Sequence, residues 1–257
     1  MIWNIDPEIL RIGPLAFRWY GLFFATSFIA GFWIMQWIYR QEGRSAEELE
    51  SLFTYMLAGT VIGARLGHCI FYEPLYYLHN PLDILKIWEG GLASHGGAIG
   101  IILALFLYSR KPGMPDLLWI LDRVVIPTAL GGSYIRVGNF FNSEILGTQT
   151  KGWWAVIFER VDMVPRHPVQ IYEALAYMAV FWILFFFYRI KKYSERRGFL
   201  SGLFLALVFS ARFALEFLKT EQADYESGFA ISVGQWLSIP FALAGLLLII
   251  RALKKKS

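Results

Sequence analysis

Charged and amide side chains are concentrated in one stretch of the chain, residues 131–147, which reads GGSYIRVGNFFNSEILG. The stretch ends an apolar segment and contains Arg136, Asn139, Asn142 and Glu144. Backbone that leaves helical geometry at membrane depth is tolerated only where protein buries it or a watery cavity solvates it. A charged side chain at that depth is a functional-site hypothesis by default. These residues therefore predict the floor of a polar chamber that opens near one membrane face.

Two arginines and a histidine, Arg136, Arg212 and His95, indicate the chemistry that such a chamber would serve. A guanidinium presents a planar fork of donors that matches phosphate and stays charged when it is partly desolvated. A histidine, with an ordinary pKa near ~6.5, can take a proton from an attacking nucleophile. Phospholipid headgroups are the obvious phosphates at that depth, so cleavage or transfer at a headgroup is favoured. From these residues alone, the interpretation stops at a phosphate-binding membrane protein, with a transferase as one candidate.

The sequence offers no support for metal or nucleotide chemistry. Carboxylates and histidines do not recur at ligand spacing, and neither a GxSxG nor a phosphate-binding GKS run occurs. The single cysteine, Cys69, excludes an internal disulfide and a cysteine-rich metal site. We therefore expect no metal and no cofactor.

Composition indicates the class of protein that must position these residues. The chain has 257 residues, of which 56% are hydrophobic and 17% are charged, whereas a soluble domain has about a quarter of its residues charged. The mean hydropathy is +0.47. Most basic residues lie in short clusters between apolar segments, so the net charge of +4 reflects membrane topology and predicts no nucleic-acid partner. The chain is predicted to be an integral membrane protein.

Seven apolar segments approach or exceed the roughly 20 residues that cross a bilayer. They lie at about residues 18–39, 51–72, 92–109, 117–138, 168–188, 199–219 and 231–251. Alternating the loops places most loop lysines and arginines on one side, which predicts an outer N-terminus and a cytoplasmic C-terminus. The predicted fold is an all-α bundle of about seven transmembrane helices, forming a single polytopic membrane domain over residues 1–257. A small outer, periplasmic-side cap, strand-like or irregular, is expected at residues 139–167, between spans four and five.

Positions along these spans place further candidates in the outer half of the membrane. Tyr20 and His95 begin the first and third spans, and Arg65 lies within the second. Arg212 lies about 10 Å below the outer end of the sixth span at 1.5 Å per residue. Glu216 follows Arg212 by four residues, so the two side chains are expected to pair on one helix face.

Structural alternatives remain open for several of these residues. Arg65 is as consistent with binding carboxylates or carbonyl groups between helices as with binding a substrate, and Arg212 with Glu216 is also consistent with a purely structural ion pair. Gly59, Gly63 and Gly67 follow one another at intervals of four. This spacing predicts a close helix contact without catalytic meaning.

The segment RVGNFFNSE, residues 136–144, resembles the hallmark segment of the prolipoprotein diacylglyceryl transferases, a family of bacterial membrane enzymes. Other blocks resemble that family in the same order. They are FRWYG at 17–21, EGGLASHGG at 89–97, RHPVQIYE at 166–173, SGLF at 201–204 and ARFALEF at 211–217. The resemblance therefore spans almost the whole chain.

The resemblance implies a definite reaction. Such enzymes move the diacylglyceryl group of phosphatidylglycerol to the lipobox cysteine thiol in the signal peptide of a preprolipoprotein. A thioether forms and glycerol phosphate leaves, in the first step of bacterial lipoprotein maturation. The implied location is the bacterial cytoplasmic (inner) membrane, with the active site toward its outer half, and we expect the protein to act as a monomer.

The resemblance also implies roles for individual residues. Arg136 and Arg212 would hold the phosphate and stabilise the leaving glycerol phosphate. His95 would accept the thiol proton, because the thiolate is the nucleophile; an arginine-led electrostatic route without His95 stays open. Glu216 would orient Arg212. Four further candidates match positions that the family needs for activity: Tyr20, Asn139, Glu144 and Gly147. Asn142, from the polar segment, and Arg65, from its similar depth in the second span, are additional candidates for binding the substrate.

Two other classes of protein are consistent with intramembrane arginines. A secondary transporter for an anionic solute would carry them on broken helices, but it usually has internal repeats, and none is evident between the halves of this chain. A non-catalytic lipid-binding or assembly protein would need the polar chamber without a proton acceptor.

Overall fold

A computed structural model describes residues 1–13, 15–87, 90–220 and 231–254 of the chain. Its helices are α1 Trp19–Gln41, α2 Ala46–Phe71, α3 Pro74–His79, α4 Ser94–Ser109, α5 Leu117–Phe141, α6 Val169–Arg189, α7 Lys191–Ser194, α8 Phe199–Glu216 and α9 Val233–Lys254. Its strands are β1 Ile2–Trp3, β2 Glu8–Ile12, β3 Leu15–Arg18, β4 Val156–Phe158 and β5 Pro165–Arg166. A 3₁₀ helix covers Pro81–Leu85. Glu89, which begins one of the sequence blocks above, lies outside the described residues.

Long helices occupy all seven regions in which the sequence predicts membrane spans. Four of them, α1, α6, α8 and α9, are long and apolar enough to cross a membrane, and α4 contains the shorter apolar helix His95–Ser109. The remaining two, α2 and α5, have 26 and 25 residues and carry charged residues such as Arg65 and Asp122 within apolar sequence. The chain is thus a mostly helical, multi-pass membrane protein.

Short strands add to the helices at the N-terminus and between α5 and α6. β1 pairs in parallel with β4, and β4 pairs antiparallel with β5. Trp3 packs against Phe140 with ring centroids 4.4 Å apart, and Val156 and Phe158 complete the small core. The predicted strand-like segment at 139–167 therefore contains β4 and β5, and the first residues of the chain join its sheet. β2 and β3 form a separate antiparallel hairpin.

The described chain divides into two compact units. The first unit comprises Met1–Ile34 and Asp122–Ser257, and the second unit comprises Met35–Leu121. In the first unit α8 packs against α6 and α9. The Ser133 hydroxyl donates to the Ala174 carbonyl over 2.8 Å and so ties α5 to α6.

The start of α8 is held by a buried carboxylate, Asp122. It accepts hydrogen bonds from the backbone N–H of Gly198 at 2.6 Å, the backbone N–H of Ser201 at 2.8 Å and the Ser201 hydroxyl at 2.7 Å. Asp122 is 0% exposed. Because the first N–H groups of a helix have no partner within it, the carboxylate supplies the acceptors that this helix end needs.

In the second unit, glycines bring α2 and α4 into close contact. A Cβ on Gly63 would lie 2.8 Å from the Gly100 Cα, and a Cβ on Gly67 would lie 2.7 Å from the Gly96 Cα. Such distances are shorter than carbon atoms tolerate, so only glycine allows this approach. The predicted glycine-mediated helix contact is confirmed.

Candidate active site

Arg136, near the end of α5, is held on two sides within the first unit. Its Nε lies 3.0 Å from Oε2 of Glu173 on α6. Its Nη1 donates to Oδ1 of Asn139 over 3.2 Å, one helical turn further along. The side chain is only 14% exposed. A guanidinium has five N–H donors, so these two partners orient it and leave donors for an anionic ligand.

Two amides donate to Glu144, which follows the end of α5, and one of them, Asn139, also connects it to Arg136. The Nδ2 of Asn139 donates to Oε2 of Glu144 over 2.9 Å, and the Nδ2 of Asn142 donates to Oε1 over 3.1 Å. Asn139 is 6% exposed. These hydrogen bonds join Arg136, Asn139, Asn142 and Glu144 in one polar network, and their place in a polar chamber stays a prediction.

The backbone on both sides of Glu144 is strained. Ser143 and Ile145 each have φ of 55°, in the left-handed region that non-glycine residues rarely adopt. Each such residue costs on the order of 1–3 kcal/mol, so the surroundings must enforce the turn. One restraint is Gln170 on α6, which is 0% exposed and donates to the Glu144 carbonyl over 2.5 Å. Strained backbone of this kind tends to cluster at functional sites.

Glu173 is the buried partner of Arg136 and a residue that the sequence analysis did not place in the site. It is 0% exposed, and its second oxygen, Oε1, lies 2.9 Å from the Nζ of Lys219. Arg136 and Lys219 both lie at ion-pair distance from the Glu173 carboxylate, although neither contact has the geometry of a hydrogen bond. A buried carboxylate is retained only when it is paired.

The prediction that Glu216 pairs with Arg212 is wrong: among the described residues, the ion-pair partner of Glu216 is Lys219. Glu216 accepts from the Nζ of Lys219 over 2.8 Å instead, and its side chain is 10% exposed. Spacing of four on a helix allows a pair, but α8 ends at Glu216 and the chain turns there, which brings Lys219 closer. Arg212 lies within electrostatic range of Tyr177, as Arg136 does. Both arginines therefore lie around the same tyrosine on α6.

Tyr20 lies against α5 because Gly138 has no side chain. A Cβ on Gly138 would be 2.9 Å from Cδ2 and 3.3 Å from Cα of Tyr20. Gly138 is between Arg136 and Asn139 in sequence, so Tyr20, at the start of α1, is brought beside the segment that carries both. The structure thus joins Tyr20 to the predicted cluster.

Gly147 has a steric role. A Cβ there would lie 2.7 Å from Cγ2 of Val169 and 2.9 Å from Cβ of His167, and closer still to the His167 carbonyl oxygen. The same segment forms a ladder with residues 218–220: the Thr148 N–H donates to the Leu218 carbonyl over 2.7 Å. A substrate contact is therefore not needed to explain why glycine occurs at this position.

An arginine pins the segment before α6 to Gly147. The Nη1 of Arg166 donates to the Gly147 carbonyl over 3.2 Å, and its Nη2 donates to Oδ2 of Asp162 over 2.5 Å. The hydrogen bond from Arg166 holds the pKa of the Asp162 carboxyl below its ordinary value. The guanidinium is thus occupied by structural contacts.

Arg65 belongs to the second unit and binds backbone carbonyl groups. Its Nε donates to Ile84 over 2.8 Å, its Nη1 to Gly90 over 2.7 Å, and its Nη2 to Asp83 over 2.5 Å. The residue is 4% exposed. These contacts fasten the segment after α3 to α2, so the geometry favours the structural alternative for Arg65.

His95 also belongs to the second unit, at the start of α4. Its ring is exposed and lies 5.6 Å from the ring of Phe71 and 5.9 Å from that of Tyr72, centroid to centroid. The nearby His68 stacks on Tyr72 and lies 3.9 Å from a Glu73 oxygen. His95 is thus an accessible imidazole beside two aromatic rings.

Within the part of the chain that the structure describes, no group of three or more His, Cys, Asp or Glu side chains is arranged to hold a metal ion. The first unit instead offers an oriented guanidinium backed by carboxylates. Glu173 and Lys219 were missed because neither residue was singled out by its local sequence. The signal that could have found Glu173 is its position in the block RHPVQIYE.

Comparisons with known proteins identify the family. The family model described as "Prolipoprotein diacylglyceryl transferase" matches residues 7–251. A relative from Tolumonas auensis is 57% identical over 257 residues, covering 100% of this chain and 99% of the relative. Others from Chloroherpeton thalassium and Bacteroides fragilis are 51% and 42% identical, covering 99% of this chain and 95% and 96% of their own. All three are named phosphatidylglycerol–prolipoprotein diacylglyceryl transferase. With the oriented arginine of the hallmark segment, these matches show that the chain belongs to the prolipoprotein diacylglyceryl transferase family.

Proposed function

We propose that this chain transfers the diacylglyceryl group of phosphatidylglycerol to the lipobox cysteine thiol of preprolipoproteins, forming a thioether and releasing glycerol phosphate. The family membership and the names of the full-length relatives support this activity. The observation that carries the chemistry is the guanidinium of Arg136, held between Glu173 and Asn139 with donors to spare. A preorganised cation of this kind stabilises the negative charge that develops on a leaving phosphate.

We assign the residues the roles that the family resemblance implies. Arg136 and Arg212 bind the headgroup phosphate and stabilise glycerol phosphate as it leaves. His95 takes the proton from the attacking thiol, whose ordinary pKa of about 8.5 leaves it mostly protonated at neutral pH. Tyr20 lines the site beside Arg136 and Asn139.

Other candidates support these groups. Asn139, Asn142 and Glu144 form the amide and carboxylate network that fixes the Arg136 side chain. We assign Gly147 a packing role, and we assign Arg65 the role of anchoring the segment after α3. Neither needs to contact the substrate.

Topology is part of the proposal. Seven spans, formed by the four clearly apolar long helices together with α2, α4 and α5, give an outer N-terminus and a cytoplasmic C-terminus under the positive-inside rule. The site then lies toward the outer half of the inner membrane, with residues 139–167 as a periplasmic-side cap. We expect a monomer that forms a single polytopic membrane domain.

Reconstitution tests the activity directly. Purified protein is combined with phosphatidylglycerol vesicles and a lipobox peptide, and mass spectrometry follows the diacylglyceryl adduct on the peptide cysteine together with released glycerol phosphate. Arg136→Gln is expected to lower turnover at least 100-fold, because it removes the phosphate-facing charge. Arg160→Gln is the matched control, since that side chain is 46% exposed and lies 3.7 Å from Asp6.

The outcomes separate the alternatives. Formation of both products by the wild type, with loss in Arg136→Gln and retention in Arg160→Gln, supports the proposal. The opposite outcome is a folded wild type that binds the lipid but forms neither product while a control transferase is active. That result would support the lipid-binding alternative and refute the transferase activity.

A further inference from the structure

Four largely buried charged side chains form a row that alternates in sign and begins at Arg136 in the hallmark segment. Arg136 lies 3.0 Å from Glu173, Glu173 lies 2.9 Å from Lys219, and Lys219 lies 2.8 Å from Glu216. The exposed fractions of these side chains are 14%, 0%, 4% and 10% in that order. Two cations and two carboxylates balance, so the row is neutral as a whole.

Lys219 is placed in this row by the backbone. The Thr148 N–H donates to the Leu218 carbonyl over 2.7 Å, and the Thr220 N–H donates to the Leu146 carbonyl over 3.0 Å. Residue 219 lies between these two hydrogen bonds and forms a bridge with Gly147. Backbone hydrogen bonds from the segment after Glu144 therefore fix the position of Lys219 beyond the end of α8.

The ammonium group of Lys219 is occupied by protein. It donates a hydrogen bond to Glu216 over 2.8 Å and lies at ion-pair distance, 2.9 Å, from Glu173, and its side chain is only 4% exposed. A headgroup would have to displace a carboxylate to reach it. Lys219 differs in this respect from Arg136, whose guanidinium has five N–H donors and contacts Glu173, Asn139 and Tyr177.

Charge balance makes Lys219 important to the orientation of Arg136. Without the lysine, Glu173 would keep Arg136 as its close cation and Glu216 would lose the cation it now pairs with. A buried carboxylate that loses a partner either rearranges or takes up a proton. Either response changes the acceptor that orients the Nε of Arg136. Geometry at a reacting centre is sensitive to shifts of about 1 Å.

We propose that Lys219 is a positioning residue of the transferase. Its ammonium group holds the Glu173 carboxylate in place and balances its charge, so that Glu173 fixes the guanidinium of Arg136 for phosphate binding. This inference rests on the proposed function. It adds a residue outside the set predicted from the sequence, and it assigns Glu216 to Lys219.

A charge-balanced double-variant cycle tests the proposal. Lys219→Met leaves one surplus negative charge and is expected to lower kcat with phosphatidylglycerol at least tenfold. Lys219→Met with Glu216→Gln restores neutrality and is expected to recover activity at least severalfold over the single variant. Lys219→Arg keeps the charge and is expected to stay within a few-fold of wild type. Lys151→Met, at an exposed lysine in the connection between α5 and α6, is the matched control.

The readout is the rate of thioether formation in vesicles, with kcat and KM for phosphatidylglycerol measured separately on protein shown to be folded by size-exclusion profile and thermal unfolding. A merely structural lysine would not regain activity when a second charge is removed. If Lys219→Met does not fold, the double variant and Lys219→Arg still decide the matter, because both keep the row neutral.

Two results would overturn the inference. One is wild-type activity in a folded Lys219→Met variant. The other is a folded double variant that is no more active than Lys219→Met or, where the single variant does not fold, that is inactive. An inactive wild type would instead refute the proposed function itself, so failure of the two proposals is distinguishable.

Discussion

Replacing Gly147 with alanine gives a direct test of how the site is held together. The added Cβ would meet Cγ2 of Val169 at 2.7 Å and Cβ of His167 at 2.9 Å. Carbon atoms pack best at about 3.5–4.0 Å, so the segment must move by roughly 1 Å. The His167 carbonyl is main chain and cannot rotate away as a side chain would.

The size of the effect follows from the hydrogen bonds that would be stretched. Thr148 donates to Leu218 at 2.7 Å, Thr220 donates to Leu146 at 3.0 Å, and His167 donates to Thr148 at 3.0 Å. Loss of one or two of these, with a buried group left unpaired, costs about 2–4 kcal/mol of unfolding free energy. The shift also pulls Lys219 from its carboxylates, so we expect activity to fall about 100-fold.

The assay combines thioether formation in vesicles with thermal unfolding in detergent. Gly21→Ala is the matched control, because nothing lies within 4 Å of a Cβ at Gly21 in α1 and alanine favours a helix over glycine. The control should keep its activity and its unfolding temperature. If Gly147→Ala keeps both as well, the steric account of Gly147 is refuted. If it keeps its stability but loses phosphatidylglycerol binding, Gly147 acts through the substrate.

Two further predictions concern carboxylates outside this site. Asp122→Ala should lower the free energy of unfolding by about 2–4 kcal/mol, because α8 loses the acceptor for its first N–H groups. Asp122→Asn should lower it less. An unchanged unfolding temperature of Asp122→Ala in detergent would contradict this prediction. Arg166 lowers the pKa of Asp162 below 3.8, so their bond stabilises the fold at neutral pH and is lost as the pH falls through that lowered pKa. Wild type should therefore be more stable than Asp162→Asn at pH 7 by the small effect of a partly exposed pair, on the order of 1 kcal/mol or less of unfolding free energy. The difference, followed by unfolding temperature, should shrink as the pH is lowered through that pKa. A difference that stays constant with pH would argue against the ion pair.

Local pattern determined much of the fold in advance. Runs of apolar residues long enough to cross a bilayer predicted where the long helices lie, because helix hydrogen bonds close within a segment and need no distant partner. Spacing of four placed Gly59, Gly63 and Gly67 on one helix face, and the close contact of α2 with α4 followed. Arg136 and Asn139 lie one turn apart on α5 and were therefore within reach of one another, whereas Glu144 meets Asn139 through the turn after the helix.

Contacts between distant segments were beyond this reasoning. Glu173 is 37 residues from Arg136 and 46 from Lys219 in the chain (173 − 136 and 219 − 173), and nothing in their local sequence indicates which cation each carboxylate meets. The pairing of Glu216 was predicted wrongly because the turn after α8 was invisible to a helical spacing rule. Arg65 was ambiguous until its carbonyl partners were known.

The sequence by itself thus determined the membrane class, the positions of the long helices and the identity of the segment that carries Arg136. These depend on local hydrophobicity and on motifs read in order. Only the tertiary structure decided that Glu173 and Lys219 stand behind Arg136, that strained backbone flanks Glu144, and that Gly147 is needed for space. A charged side chain that is removed from water needs an oppositely charged partner. Folding supplies that partner from any part of the chain, so separation in sequence does not predict which residues pair.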